Sequence, residues 1–218
     1  MNYLCIQFKL MAIDLLVMKV LKAEVDAIEK AAQVLEIGGI VVYPTETLYG
    51  LGANALDENA VRLVFEIKGR DKSKPSSVAF RNLEQARKFL AVTPLAEKLA
   101  KKFLPGPLTI ILNSKFEFQE FLGGSKVSMR IPDHPVAQAL LKRVKFPITA
   151  TSANLSGGKN PVEAIDAIEQ IGGSVDLVLD AGKCKLGKPS TVVDVSEGEL
   201  KIIREGAIPK EKLASMTL

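Results

Sequence analysis

The chain has no tryptophan, one histidine and two cysteines among its 218 residues. Each shortage removes a class of chemistry. With His134 as the lone histidine, neither a histidine-rich metal site nor a serine–histidine–aspartate relay can be assembled. Cys5 and Cys184 share no metal-ligand spacing and form no disulfide framework. Thiols without a credible secretory signal point to a reducing cytoplasm. Aromatic content is only 6%, and no stretch reads as an aromatic RNA-recognition motif. No apolar run reaches membrane-span length, so no membrane partner is expected. Internal repeats, low-complexity linkers and composition breaks are also missing. Two glycine-rich stretches fail as nucleotide motifs. Gly50-Leu51-Gly52 lacks a third glycine in register and opens no helix, so it is no dinucleotide fingerprint. Leu122-Gly123-Gly124-Ser125-Lys126 lacks the first glycine of a P-loop and leads into a strand.

Hydrophobic residues make up 47% and charged residues 25%, enough to bury the core of one domain. A net charge of +4 and a pI near 9.0 favour anionic partners such as nucleotides or RNA. Residues 1–17 are apolar but interrupted by Lys9 and Asp14, with no cleavage site after them. They read as an extension ahead of a domain that runs from Met18 to Leu218, the alternative being a packing helix.

Strands and helices alternate without a regular βαβ period, which predicts one α/β domain with a mixed sheet. Helices are expected over 25–37, from the Asp57 cap through Lys68, over 83–91, 94–103, 135–143, 161–171 and 209–216. Strands are expected at Met18, 40–43, 76–80, 108–112, 126–131, 146–150, 175–179, 191–195 and 200–203. His134, between two prolines, reads as a helix-entry residue rather than a catalyst.

Several polar segments fall at element ends. Pro44 fixes the chain after a buried strand, so Thr45, Glu46 and Thr47 emerge at its C-terminal end, where open α/β sheets bind ligands. The two threonines share a side if the chain stays extended, although hydroxyls bonded to local backbone explain them equally well. Gly50 and Gly52 permit positive φ or close backbone approach. Lys68-Gly69-Arg70-Asp71-Lys72-Ser73-Lys74 carries a run of cations past a helix end, further than a helix dipole accounts for. Arg130 lies near the end of an apolar strand, opposite in facing to Met129 and Ile131. Ala150-Thr151-Ser152-Ala153-Asn154 and the segment through Asn160 put small hydroxyl and amide residues after a strand, suited to close approach by phosphate. Pro189-Ser190-Thr191 and Ile203-Arg204-Glu205-Gly206 place polar residues at strand edges.

Y-P-T-E-T-L-Y-G-L-G, K-G-R with K-P, L-P-G-P-L-T, M-R-I-P-D-H-P, S-A-N-L-S-G, P-S-T-V-V-D and I-I-R-E-G stand in one order along the chain. Together they resemble the threonylcarbamoyl-AMP synthases of the YrdC/Sua5 family, in the short YrdC-type form, from about Val20 to Pro209. The resemblance implies a YrdC-like domain: a twisted mixed β-sheet with flanking helices around a basic concave cavity. It implies that L-threonine, bicarbonate (or CO2) and ATP, with Mg2+ carried by the nucleotide, give threonylcarbamoyl-adenylate and pyrophosphate. The product would pass to the transferase machinery that modifies adenosine 37 of tRNA. By match to the family pattern, Thr47, Arg130, the Ala150 backbone and Ser190 would hold threonine. Arg70, Lys74, Lys126, Ser152, Asn160 and Arg204 would hold ATP. Lys68 and Arg70 would stabilise charge during transfer, and no protein metal ligand is expected. Ala79 stands where many relatives carry a histidine, and Lys126 where they often carry threonine. The competing readings are a noncatalytic module binding double-stranded RNA or tRNA, and the related domain of hydrogenase-maturation carbamoyltransferases, which are longer, cysteine-rich chains.

Overall fold

The computed structural model describes residues 18–71 and 73–214. The segment 1–17 and the end of the expected closing helix lie outside that range. In chain order the described residues form β1 (Lys19–Lys22), α1 (Val25–Glu36), β2 (Val41–Tyr43), β3 (Gly50–Gly52), α2 (Glu58–Lys68) and β4 (Val78–Ala79). Then come α3 (Leu83–Phe89), α4 (Pro94–Phe103), β5 (Leu108–Asn113), β6 (Lys126–Arg130), α5 (Pro135–Arg143), β7 (Ile148–Thr149) and β8 (Thr151–Ser152). The remainder is α6 (Ala164–Ile171), β9 (Leu177–Asp180), β10 (Thr191–Asp194), β11 (Lys201–Arg204) and α7 (Lys210–Ala214).

Helix boundaries follow local chemistry. The Asp57 carboxylate accepts the N–H groups of Asn59 and Ala60 and starts α2. Gly69 ends it in the left-handed conformation, φ 54°, which only glycine adopts without strain. Thr93 caps α4 ahead of Pro94. His134 caps α5, its Nδ1 accepting the Val136 N–H. That acceptor role needs an unprotonated Nδ1, and burial does lower the imidazole pKa, so His134 is a helix-entry residue as its sequence context suggests.

The strands divide into two mixed sheets rather than one. Their orders are β1-β9-β2-β3-β8 and β11-β10-β5-β6-β4-β7. What reads in sequence as one strand over 146–150 changes partners midway. β7 pairs antiparallel with β4 in the second sheet, whereas β8 pairs antiparallel with β3 in the first. Ala150 is the crossing residue, and its N–H donates to the Ser77 carbonyl at 2.7 Å. One core fills the space among the sheets and α2, α3 and α4; a second is closed by α1 and α5 over Val41, Tyr43, Leu177 and Leu179.

β3 explains its own glycines. Gly50 and Gly52 lie opposite Tyr43 and Val41 in the ladder. A Cβ at either glycine would come 3.0 Å from the Tyr43 ring, closer than packed carbon atoms tolerate. The ring therefore lies flat on the strand, fully buried, and its hydroxyl donates to the Thr149 carbonyl at 3.0 Å. This contact locks β2 to the strand that crosses between the sheets. It also draws the ends of β2, β6 and β7 together around one cavity.

Candidate active site

The cavity has a volume of about 160 Å³ and is bordered by the turn after β2, the end of β6, the β7–β8 crossing and the segments flanking β10 and β11. The turn organises itself first. Thr45 Oγ1 donates to the Leu48 carbonyl at 2.6 Å and receives the N–H groups of Thr47 and Leu48 at 3.2 Å. Thr45 thus serves the local backbone. Its single hydroxyl hydrogen is spent on Leu48, so the 2.8 Å contact between the two threonine hydroxyls has Thr47 as donor. Thr47 Oγ1 also accepts from Arg130 Nη2 at 3.0 Å. One lone pair of Thr47 remains to face a ligand, as an acceptor.

Arg130 is 8% exposed. Its Nη2 donates to Glu46 Oε1 at 2.7 Å, and Glu46 Oε2 accepts the Asp133 N–H at 3.0 Å. Arg130 Nε is buried with no hydrogen-bond partner, a costly state for a polar group. Ala79, paired in register with Arg130, forms the neighbouring wall. Ser190 lines the same cavity, its hydroxyl 2.8 Å from that of Thr109. Ala150 joins them, with its N–H already committed to Ser77.

Two further guanidinium groups, those of Arg70 and Arg204, border the same cavity. Arg70 is held by two carbonyls, Nε to Lys74 at 2.7 Å and Nη2 to Pro75 at 3.1 Å, and lies over the Phe65 ring. Arg204 Nη2 donates to the Ser190 carbonyl at 2.9 Å. Burial lowers the pKa of both guanidinium groups, and charge repulsion adds to it: Arg204 acts on Arg70, and Arg130 acts on Arg204. Three arginines that destabilise one another line one cavity whose border contains no carboxylate residue. Such a site is set to gain from an anion. Ser152 and Asn160 border it as well, and the Ser152 hydroxyl donates to Asn154 Oδ1 at 2.6 Å.

Comparison with known proteins gives the family. The Sua5/YciO/YrdC family model, described as telomere recombination, matches residues 33–206. The chain belongs to the Sua5/YciO/YrdC family. A Methanocaldococcus jannaschii relative is 44% identical over 177 residues, covering 81% of this chain and 84% of its own. The threonylcarbamoyl-AMP synthase of Pyrococcus abyssi is 40% identical over 186 residues, covering 84% of this chain but 55% of its own. This chain thus spans little more than half the length of that relative. The crystal structure of P. abyssi Sua5 complexed with L-threonine superposes with a TM-score of 0.85 at 37% identity, over 92% of this chain and 60% of that one.

Against that family pattern, the fold gathers Thr47, Arg70, Arg130, Ala150, Ser152, Asn160, Ser190 and Arg204 around one cavity. It does not bring Lys68, Lys74 or Lys126 to its border. Lys68, expected to face a triphosphate, is 1% exposed. Its Nζ donates to the carbonyls of Ser152 and Asn154 and to Asn154 Oδ1. Its own carbonyl accepts the Ser156 N–H at 2.9 Å. Lys68 therefore clamps the 152–156 loop to the end of α2 and positions Ser152 from behind. Burial, reinforced by the Arg70 charge, brings its pKa down to about 7, whereas three acceptors around Nζ favour the ammonium. Lys74 contributes its carbonyl, as a support for Arg70, and its side chain is exposed. Lys126 Nζ pairs with Glu197 at 2.8 Å on the surface. It opens β6 while Arg130 ends it, and five strand residues span about 13 Å.

Two contributors were not singled out from sequence. Glu46 was named only as part of the turn, yet it is the counter-charge that lets Arg130 be buried. The signal was available, since an arginine inside an apolar strand needs a buried acid. Tyr43 was read only as the end of a strand. Its role depends on a contact between residues 106 positions apart, which no local pattern encodes.

Proposed function

We propose that this chain is an L-threonylcarbamoyladenylate synthase, a nucleotidyltransferase that makes threonylcarbamoyl-AMP and pyrophosphate from L-threonine, bicarbonate or CO2, and ATP. The observation that carries the reading is that one cavity holds two kinds of guanidinium, one balanced by a buried carboxylate and two that are not. Near Arg130 the guanidinium is balanced by Glu46 and stands beside a hydroxyl acceptor, a pairing suited to the carboxylate and amine of an amino acid. Near Arg70 and Arg204 the charge is unbalanced, which suits phosphates.

In this reading Arg130 and Ser190 orient the threonine carboxylate, while Thr47 and the Ala150 carbonyl receive its amine. The amine nitrogen bonds to the carbon of CO2 and loses a proton, giving a carbamate; from bicarbonate, that proton leaves with hydroxide as water. A carbamate oxygen then attacks the α-phosphorus of ATP, and the bond to the β-phosphate bridging oxygen breaks as pyrophosphate departs. Such displacement needs alignment and charge screening rather than a protein nucleophile. Arg70 and Arg204, with Ser152 and Asn160, supply both from the border of the same cavity. Magnesium would add screening between phosphates. Guanidinium, hydroxyl and amide groups border the cavity, a donor set that fits a cation brought by the nucleotide rather than one held by carboxylates. Lys68 acts through the loop that presents Ser152.

The product is a mixed anhydride, whose consuming reaction must be acyl transfer to an amine. Delivery to the transferase machinery that modifies tRNA, in the cytoplasm, fits that chemistry. Among the described residues no helix is long and apolar enough to cross a membrane. A noncatalytic RNA-binding role is disfavoured because the arginines converge inward on a cavity instead of tracking an exposed backbone path. The test is pyrophosphate release with each substrate omitted in turn. Release is expected only with L-threonine and bicarbonate both present, and ATP turnover indifferent to threonine would refute the proposal.

A further inference from the structure

Glu46 has no contact with the cavity itself, yet it controls the charge presented there. Its carboxylate is 5% exposed, and both oxygens are occupied, by Arg130 Nη2 and the Asp133 N–H. Its carbonyl accepts the Leu186 N–H at 2.9 Å. The residue is therefore fixed from three directions and has no freedom to act as a proton carrier. It balances the buried Arg130 charge, and removing it alone would leave that guanidinium unpaired. What it changes is the field. Without Glu46, three uncompensated guanidinium groups would border the cavity, and any carboxylate or phosphate would be drawn to Arg130 as readily as to the other two.

We propose that Glu46 sets ligand charge at the Arg130 end, making it selective for a zwitterionic amino acid over a monoanionic carboxylic acid of the same shape. The inference rests on the reading that this end holds the amino-acid substrate. With its charge cancelled, Arg130 keeps directional donors, including the unpartnered Nε. It contributes hydrogen bonds to a carboxylate without the pull of a free cation. Thr47, whose hydrogen is spent on Thr45, offers a lone pair that an ammonium meets with a charge-assisted hydrogen bond and a hydroxyl only with a weaker neutral one. A ligand with one negative and one positive group satisfies both features at no net charge. A monoanion leaves the Glu46 carboxylate uncompensated at short range. Glu46 is accordingly a specificity-determining and positioning residue, not a catalytic one. It also leaves Arg70 and Arg204 as the preferred seat for phosphates.

The experiment compares L-threonine with its isostere (2S,3R)-2,3-dihydroxybutanoate, which has a hydroxyl where threonine has its ammonium. Titration calorimetry gives affinities for each in the wild type, Glu46→Gln and Glu46→Asp. In Glu46→Gln the preference for threonine is expected to fall by about tenfold or more, with the monoanion gaining affinity, while KM for ATP stays within about threefold. A purely structural role would weaken both ligands together and leave the ratio unchanged, which would overturn the proposal. Glu46→Asp keeps the charge and is expected to keep the preference. Should the glutamine variant fail to fold, that second variant decides: a lost preference with the charge retained overturns the proposal, and a kept preference supports it. A wild type that neither binds nor consumes L-threonine refutes the synthase reading itself. A wild type that consumes threonine while Glu46→Gln keeps the full preference refutes only the role of Glu46.

Discussion

Replacing Lys68 by methionine separates the forces acting on that buried ammonium. In the folded chain its pKa falls from 10.5 to about 7, through burial first and the Arg70 charge second. In the unfolded chain it returns to an ordinary lysine value. Between about pH 7 and 10.5 the unfolded chain then holds a proton that the folded chain has released. Wherever the unfolded state binds more protons, stability rises with pH. The Lys68 contribution to stability therefore grows through this window and levels off above it. Integrated from pH 7 to pH 9, the shift gives roughly 2 kcal/mol. For a domain of this size that equals about 4–8 °C in Tm. Methionine has no proton to exchange, so the Tm gap between wild type and Lys68→Met is expected to widen by that amount from pH 7 to pH 9. A separate, pH-independent offset comes from the Ser152 and Asn154 oxygens that lose their donor, each costing about 1–3 kcal/mol against the relief of removing a buried charge. Thermal melts in matched buffers read both. A gap that stays constant or narrows would refute the reasoning, and would mean that the three acceptors keep Lys68 charged throughout.

Other perturbations test the cavity and its support. Arg70→Ala is expected to lower kcat/KM by about 100-fold or more, the cost of losing one charge-stabilising donor, with an unchanged circular dichroism spectrum. Arg130→Lys is expected to raise KM for L-threonine by about tenfold or more with a smaller effect on KM for ATP, because a point charge cannot serve Glu46, Thr47 and a ligand together. Lys126→Ala is expected to leave steady-state rates within about twofold, since its surface pair with Glu197 lies away from the cavity and such pairs contribute little. Gly50→Ala is expected to destabilise the fold by about 1–3 kcal/mol in chemical denaturation, by pressing a Cβ into the Tyr43 ring.

What could be read from sequence was what local chemistry decides. Asp57, Thr93 and His134 cap the helices they precede in sequence, because a cap needs only its own turn. Gly50 and Gly52 signalled a close approach correctly, but not that Tyr43 is what approaches. The motifs at strand ends identified most residues that border the cavity, since strand ends are where side chains leave the core. The division into two sheets was hidden, because the partner of residues 148–152 is chosen by Ser77 and β3, far away in the chain. Lys68 carries its own sequence clue to burial. It continues the helical face of Val61, Val64 and Phe65, and that face is buried. A motif match gives no distance, and it does not foretell the surface pair that Lys126 makes with Glu197.

The account rests on one cavity joining an amino acid to a nucleotide through a carbamate. The direct measurement is mass spectrometry of the product formed by purified protein with ATP, 13C-bicarbonate and L-threonine. Threonylcarbamoyl-adenylate carrying the heavy carbon is expected, with pyrophosphate in equal amount, and both are expected to be lost in Arg70→Ala. ATP consumption that yields ADP or AMP with no labelled adenylate would contradict it.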